Sequence, residues 1–296
     1  MTGGFRNSCP QLRARGFGIA DALALAATIL FIFWLGHTLL YQFPYDWKWK
    51  NIPQFLLVHT EEGWAPGVLG KGLLTTIRLA FWSSAGAFLV GIILAMGRTS
   101  NNQYLAMLAG TTIELSRNLP PLVLVFVFYY FLGSQLLPWA DILHWMEDLP
   151  QPVKIALQYT IAPVSSMDVF LPAVFTLSLY EGAYMAEIFR GGLESIPRGQ
   201  WEASYCLGFT RLQQYRFIVG PQLLRNVLPQ LSSQFISTVK DSSIVSVISI
   251  EELTYSGLQL MATIKQPFEV WLTIACLYMV LTLSLSLLLR RWENGR

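Results

Sequence analysis

The sequence predicts an all-α integral membrane protein: a helical bundle of five or six spans. Three observations point there. The 296-residue chain is 53% hydrophobic and only 13% charged, where soluble domains average about 45–50% apolar and about 25% charged. Five or six apolar segments approach the roughly 20 residues that cross a bilayer. Arginine then falls almost wholly on one side of the topology those segments define.

The segments lie near residues 19–41, 72–96, 119–137, 169–189, 232–250 and 269–289. The first three and the last are clear from hydropathy. The fourth and fifth carry Glu181, Lys240 and Asp241, so an amphipathic helix lying on the membrane is the competing reading for each. Spans buried inside a bundle tolerate polar groups that lipid-facing spans do not, and arginine placement favours spans. With six spans and a cytoplasmic N-terminus, every arginine except Arg78 falls in a cytoplasmic piece, from Arg6, Arg13 and Arg15 to Arg290, Arg291 and Arg296. The outside pieces hold Lys48, Lys50, Lys71, Lys154 and Lys265, together with acids such as Glu61, Asp141, Glu251 and Glu252. Removing either doubtful span would throw Arg290 and Arg291 outside. Both termini are therefore expected in the cytoplasm.

The first segment reads as an uncleaved anchor. Its apolar run is too long for the h-region of a signal peptide, and no small-x-small site follows it cleanly. Tyr41 to Trp49 reads as an aromatic belt where a span leaves the membrane. Pro138, Pro150, Pro152 and Pro163 punctuate the main outside loop, where Ile142 to Trp145 and Ile155 to Tyr159 suit short interfacial helices. Thr238, Ser242, Ser246 and Ser249 fall at spacings that put one polar stripe on a helix, with Asp241 beside it and Lys240 pointing elsewhere. Small hydroxyl residues let helices pack closely; they also suit a pathway.

Several function classes are excluded. There is no G-x4-G-K-[ST] phosphate loop, so ATP hydrolysis is not expected of this chain. His37, His59 and His144 are isolated and not at metal-ligand spacing. No nucleophile elbow and no acid–base pair is present, so a membrane enzyme lacks its catalytic residues. A net charge of +2 gives no case for nucleic-acid binding. Cys9, Cys206 and Cys276 lie far apart and read as small buried hydrophobes.

The most informative stretch lies between the fourth and fifth spans. Pro197 suits a helix start. Gly199 to Leu207 then reads as a short helix, with Gly208 as its left-handed stop. Thr210 can cap a second helix through Gln214 and Phe217, with Pro221 ending it. Composition alone supports a plain interfacial hairpin equally well. The spacing Glu202-Ala203-Ser204, Gly208, Ile218, Pro221 resembles the EAA loop of ABC-importer permeases, E-A-A-x3-G-x9-I-x-L-P. Ser204 stands at the third position, and Gly220 replaces the Leu.

The flanks resemble the polar amino acid uptake family of those permeases. They are Ser178-Leu179-Tyr180-Glu181-Gly182-Ala183-Tyr184-Met185-Ala186-Glu187-Ile188-Phe189-Arg190-Gly191-Gly192-Leu193, Ser195 to Ala203, Pro221-Gln222, Leu228-Pro229, Lys240-Asp241-Ser242-Ser243-Ile244, Gly72 to Ile77 and Glu114-Leu115-Ser116-Arg117-Asn118-Leu119-Pro120. The resemblance covers about residues 67–290 and implies a five-span permease core whose coupling loop is about 190–225; residues 1–60 then look like a cytoplasmic stub, one extra N-terminal anchor helix (making six spans) and the start of an outside loop. It implies a multi-pass subunit of the bacterial inner membrane that moves a polar amino acid by ATP-coupled alternating access. It also implies a second permease subunit, ATPase subunits that carry ATP and Mg, and an extracytoplasmic substrate-binding protein. The residues expected to couple to the ATPase are Gly199, Gln200, Glu202, Ala203, Ser204 and Gly208. Arg78, Glu181, Lys240, Asp241 and Ser242 are the candidate substrate pathway. An internal salt bridge of Arg78 with Glu181 or Asp241 is the equal alternative. A secondary transporter would show internal repeats, which are absent here.

Overall fold

The structure is a computed structural model that describes residues 18–41, 45–61, 63–131, 146 and 148–294. It divides into two units, residues 1–47 and 48–296. In the first, α1 (Ile19–Tyr41) is predominantly apolar, and Asp21 accepts the Gly18 N–H at 2.9 Å. Its Asp21–Thr38 stretch is long and apolar enough to span a membrane.

The second unit opens with α2 (Pro53–Leu56) and a short hairpin, β1 (Leu57–Thr60) against β2 (Gly63–Pro66). The strands pair antiparallel, with Leu57 opposite Pro66 and His59 opposite Trp64. Then come α3 (Val68–Arg98), α4 (Gln103–Asn118) and α5 (Pro121–Phe131). Leu119 is extended, φ −84° and ψ 145°, as the residue before a proline prefers, and this separates α4 from α5. Next are α6 (Gln151–Thr160) and α7 (Met167–Glu194). The hairpin helices α8 (Arg198–Cys206) and α9 (Arg211–Gln214) follow. A π-helical turn at Tyr215–Val219 leads into α10 (Gly220–Asp241) and a 3-10 stretch at Ser242–Ile248. The chain closes with α11 (Leu253–Ile264) and α12 (Pro267–Asn294).

The centre is the α3–α7 pair. Gly72, Thr76, Ala80, Ser83, Ala87, Gly91 and Ala95 are buried along one face of α3, spaced three or four residues apart, which is one helix face. Small side chains let two backbones approach where lipid offers no hydrophobic drive to associate. The Ser178 hydroxyl crosses to the Ser83 carbonyl at 3.3 Å. Phe88 and Phe189 meet edge to face at 5.4 Å.

A second tie lies at the start of α11. Glu252, fully buried, caps that helix by accepting the N–H groups of Tyr255 at 2.8 Å and Thr254 at 2.9 Å. It also accepts the Tyr278 hydroxyl at 2.9 Å and the Thr76 hydroxyl at 3.4 Å. One carboxylate thus joins α3, α11 and α12. A buried carboxylate is tolerated when donors surround it in this way.

Several expectations are borne out and others corrected. Among the described residues, four helices are long and apolar enough to span: the segments within 21–38, 68–98, 164–194 and 267–291. The segment expected at 119–137 is helical as α5 to Phe131, and its remainder lies outside the described residues, as do Cys9, Asp141 and Ile142 to Trp145. Ile155 to Tyr159 are helical within α6. The segment expected at 232–250 differs. Its first half belongs to α10, and at Ser242 the chain tightens into the 3-10 stretch, which ends with Ser249 left-handed at φ 63°. The hydroxyl stripe is therefore broken: Thr238 and Ser242 are buried and Ser249 is exposed. Cys206, in α8, and Cys276, in α12, are exposed rather than buried; for Cys276 the reason is that an apolar run faces lipid as readily as a core.

Candidate functional site

The first candidate is the α8–α9 hairpin, and its turn is fixed by backbone hydrogen bonds. The Phe209 N–H donates to the Ser204 carbonyl at 3.2 Å and the Gly208 N–H to the Tyr205 carbonyl at 2.9 Å. That double closure is the Schellman arrangement, and it requires Gly208 at φ +76°. Two residues on, Thr210 opens α9 with a reciprocal cap: its hydroxyl accepts the Gln213 N–H, and Gln213 Oε1 accepts the Thr210 N–H at 2.8 Å. A stop signal and a start signal thus abut, which leaves the turn little freedom. The Trp201 and Tyr215 rings meet edge to face at 5.4 Å and brace one arm on the other.

Gly199, Gln200, Glu202, Ala203 and Gly208 are exposed. Ser204 is the exception. It is fully buried, with its hydroxyl donated to the Trp201 carbonyl at 2.7 Å, so it holds the helix and does not face a partner. Three large apolar residues project beside the turn: Tyr205, Leu207 and Leu212, each at least 75% exposed. The sequence marks Tyr205 and Leu207 as apolar positions of the short helix but does not mark Leu212, although an apolar residue on each side of the Gly208 stop is a usable signal.

Pro221 does not end the second arm. The chain stays helical from Arg211 to Asp241, and Pro221 sits at the head of α10. Proline removes one N–H and clashes with the carbonyl four residues back. The π turn absorbs this, because the Gly220 N–H reaches the Tyr215 carbonyl five residues back. A Cβ at Gly220 would run into that oxygen, which accounts for glycine where the motif has leucine.

The second candidate is a polar cluster between α7 and α10. Glu181 is fully buried. Gln234 Nε2 donates to its Oε2, and Asp241 and Thr238 stand near the same carboxyl. Glu181 Oε1 has no hydrogen-bond partner among the described residues. The Tyr180 and Tyr184 hydroxyls stand beside the cluster, 3.4 Å apart. The structure brings Glu181 and Asp241 together, and among the described residues no side-chain hydrogen bond or ion pair joins the other three candidates to them. Lys240 is exposed. Ser242 donates its hydroxyl to the Val239 carbonyl at 2.7 Å. Arg78 is half-buried and makes no ion pair with Glu181, Asp241 or any other described residue. Gln234 was not anticipated; its place four residues before Thr238, on the same helix face, was the available sign. An apolar groove of about 720 Å³ between α3, α10 and α12, lined by Phe81, Phe88, Phe235 and Leu285 among others, holds no charged side chain.

A bundle of apolar helices interrupted by a rigid exposed hairpin, with a buried acidic cluster beside that hairpin's exit helix, defines a membrane transport subunit. The chain belongs to the family described as binding-protein-dependent transport system inner membrane component, which matches residues 87–295. It is 31% identical over 252 residues to the glutamine transport system permease protein of Escherichia coli, covering 84% of this chain and 97% of that one. A probable glutamine ABC transporter permease protein of Bacillus subtilis is 33% identical over 229 residues, 76% of this chain and 92% of its own. The arginine ABC transporter permease protein of E. coli is 32% identical over 216 residues, 69% and 86%. Among solved structures, an amino acid ABC transporter crystallised with histidines matches with a TM-score of 0.61 at 29% identity, covering 77% of this chain and 94% of that one. An inward-facing methionine ABC transporter shares the fold, with a TM-score of 0.58 at 18% identity. The chain is an ABC importer permease, as its EAA-like spacing implied.

Proposed function

We propose that this permease moves a polar amino acid across the bacterial inner membrane by alternating access, driven by ATP and Mg on separate ATPase subunits. In this reading a second permease chain completes the pore, and an extracytoplasmic binding protein delivers the substrate. Residues 67–290 are the permease domain, residues 1–60 carry the added anchor, and both termini lie in the cytoplasm. The observation that carries the reading is the α8–α9 hairpin. It is held rigid by back-to-back caps and offers Tyr205, Leu207 and Leu212 to a partner. A stiff element that ends in exposed apolar side chains suits a docked ATPase that pulls on it. Glu202 and Gln200 give that contact a polar rim.

The substrate class rests on the curated relatives, which are named for glutamine and arginine, and on Glu181. Every α-amino acid carries an ammonium, and a buried carboxylate with one free oxygen beside Asp241 suits such a group. Arg78, a permanent cation with a planar fork, suits the carboxylate.

Co-purification with the soluble ATPase tests the docking. Tyr205→Ser together with Leu212→Ser should abolish it without reducing the amount of folded permease, and undiminished ATPase capture would reject the hairpin as the dock. Topology is tested by labelling single cysteines in a cysteine-free background: reagent added outside intact cells should reach Glu61→Cys and miss Gly208→Cys.

A further inference from the structure

Two sequence blocks that carry the family resemblance have no role in the reading so far: Glu114 to Pro120, and the stretch of α7 from Tyr184 to Leu193. The fold brings them together. Arg117, in the last turn of α4, reaches α7 twice. Its guanidinium carbon lies 5.5 Å from the centre of the Tyr184 ring, and its Nη1 lies 3.8 Å from Glu187 Oε2. The same carboxylate oxygen accepts Arg190 Nε at 3.1 Å and Nη2 at 2.8 Å. Arg190 Nη1 donates to Glu194 at 2.6 Å. Arg98, ending α3, donates to Glu114 at 3.3 Å. The charged side chains among these line a polar opening of about 410 Å³.

The contacts are of two kinds. The bonds of Arg190 lie within α7 and travel with it. The bonds of Arg117 cross from α4 to α7. Helix α7 runs almost directly into the hairpin, since only 195–197 separate Glu194 from Arg198. A hairpin movement that tilts the end of α7 therefore leaves the Arg190 pairs intact and stretches those of Arg117. The two-pronged grip of Arg190 holds the Glu187 carboxylate in one orientation, ready for a second cation. A planar guanidinium both lies over an aromatic ring and pairs with a carboxylate, which an ammonium does poorly. The Arg117 side chain is 43% exposed, so the cross-helix contact is individually weak. A contact broken and remade in every cycle must be weak.

We propose that Arg117 and Glu187 form a reversible clasp between α4 and α7. They are positioning residues through which movement of the hairpin is passed to α4 during transport. The proposal rests on the hairpin being the ATPase dock.

The test uses the whole transporter in proteoliposomes, with ATPase and binding protein, and reads the ratio of ATP hydrolysis with and without loaded binding protein. Arg117→Ala and Glu187→Gln should each lower that ratio roughly fivefold, the scale set by one partly exposed ion pair. The double variant should be no worse than either single. Arg117→Lys should fall between. Raising salt from about 50 mM to about 500 mM should move the wild-type ratio toward that of Arg117→Ala and leave the variant flat, since screening acts only on a pair that exists. A purely structural role would cut complex yield and leave the ratio per complex unchanged, and that result overturns the clasp; so do single effects that multiply in the double variant. If hairpin substitutions spare ATPase docking, the dock assignment has failed. If they abolish docking while Arg117→Ala and Glu187→Gln keep the wild-type ratio, only the clasp has failed.

Discussion

Gln234 of α10 donates a hydrogen bond to the carboxyl of Glu181 on α7, and the bond leaves Glu181 Oε1 as a buried acceptor with no donor among the described residues. A buried polar atom left without a partner is costly, so one expects a visitor to supply the donor. An ammonium does so, and Asp241 beside it adds to the attraction. Glu181→Gln keeps the shape and removes the charge. Hydrogen bonds to charged groups contribute about 1.5–3 kcal/mol, so substrate should be taken up roughly 10- to 100-fold less well, from complexes assembled in normal amounts. Unchanged uptake by Glu181→Gln would remove the ammonium role.

Gly208 at φ +76° closes the hairpin turn. A β-branched residue there is forced into a region that L side chains rarely occupy, at about 1–3 kcal/mol. Nothing lies within 4 Å of a Cβ at this site, so the cost is conformational and does not come from a clash. Gly208→Ala should impair ATPase stimulation by the loaded binding protein mildly, and Gly208→Val strongly, while the complex still assembles. Stimulation and uptake at wild-type levels in Gly208→Val would show that this turn does not transmit motion.

Gly220→Leu restores the residue that the EAA pattern has at this place. Replacement toward a family pattern commonly stabilises a protein. Here the opposite is expected, because the π turn sets the Tyr215 carbonyl where the new Cβ must go. Overpacking of this kind costs about 1–3 kcal/mol. The thermal midpoint of the purified complex should fall, and a midpoint equal to or above wild type would mean that the turn relaxes to an ordinary α-helix.

What was legible in the sequence was local. The Gly208 stop and the Thr210 cap depend on residues within three or four positions of one another, and both stand as the spacing implied. Arginine and hydropathy marked α1, α3, α7 and α12 because each is long and apolar. Pro221 was misread because a proline ends a helix only when the preceding turn cannot widen, and the glycine that let it widen looked like a motif defect. The end of α10 was misplaced because Asp241-Ser242-Ser243 suits an α or a 3-10 turn alike. Gln234 and Glu181 meet across 53 residues, and Arg117 reaches Glu187 from another helix, so only the fold makes either pair visible. Cys276 looked buried because the sequence does not distinguish a lipid-facing side of α12 from a packed one.

Arg78 decides between two expectations that the sequence left equal. If it tied α3 to a buried carboxylate, removing it would strand that carboxylate at about 3–5 kcal/mol and deplete the folded complex. The structure gives Arg78 no ion pair among the described residues: Glu181 is held by Gln234, and Asp241 stands near Glu181. Arg78→Ala should therefore leave complex yield and basal ATP hydrolysis near wild type and abolish uptake. Arg78→Lys should recover only part of it, because an ammonium lacks the two-pronged fit to a carboxylate. Yield and uptake per complex are measured together on the same preparations. A collapse in yield with normal uptake per surviving complex would return Arg78 to a structural role and leave the substrate carboxylate without its proposed partner.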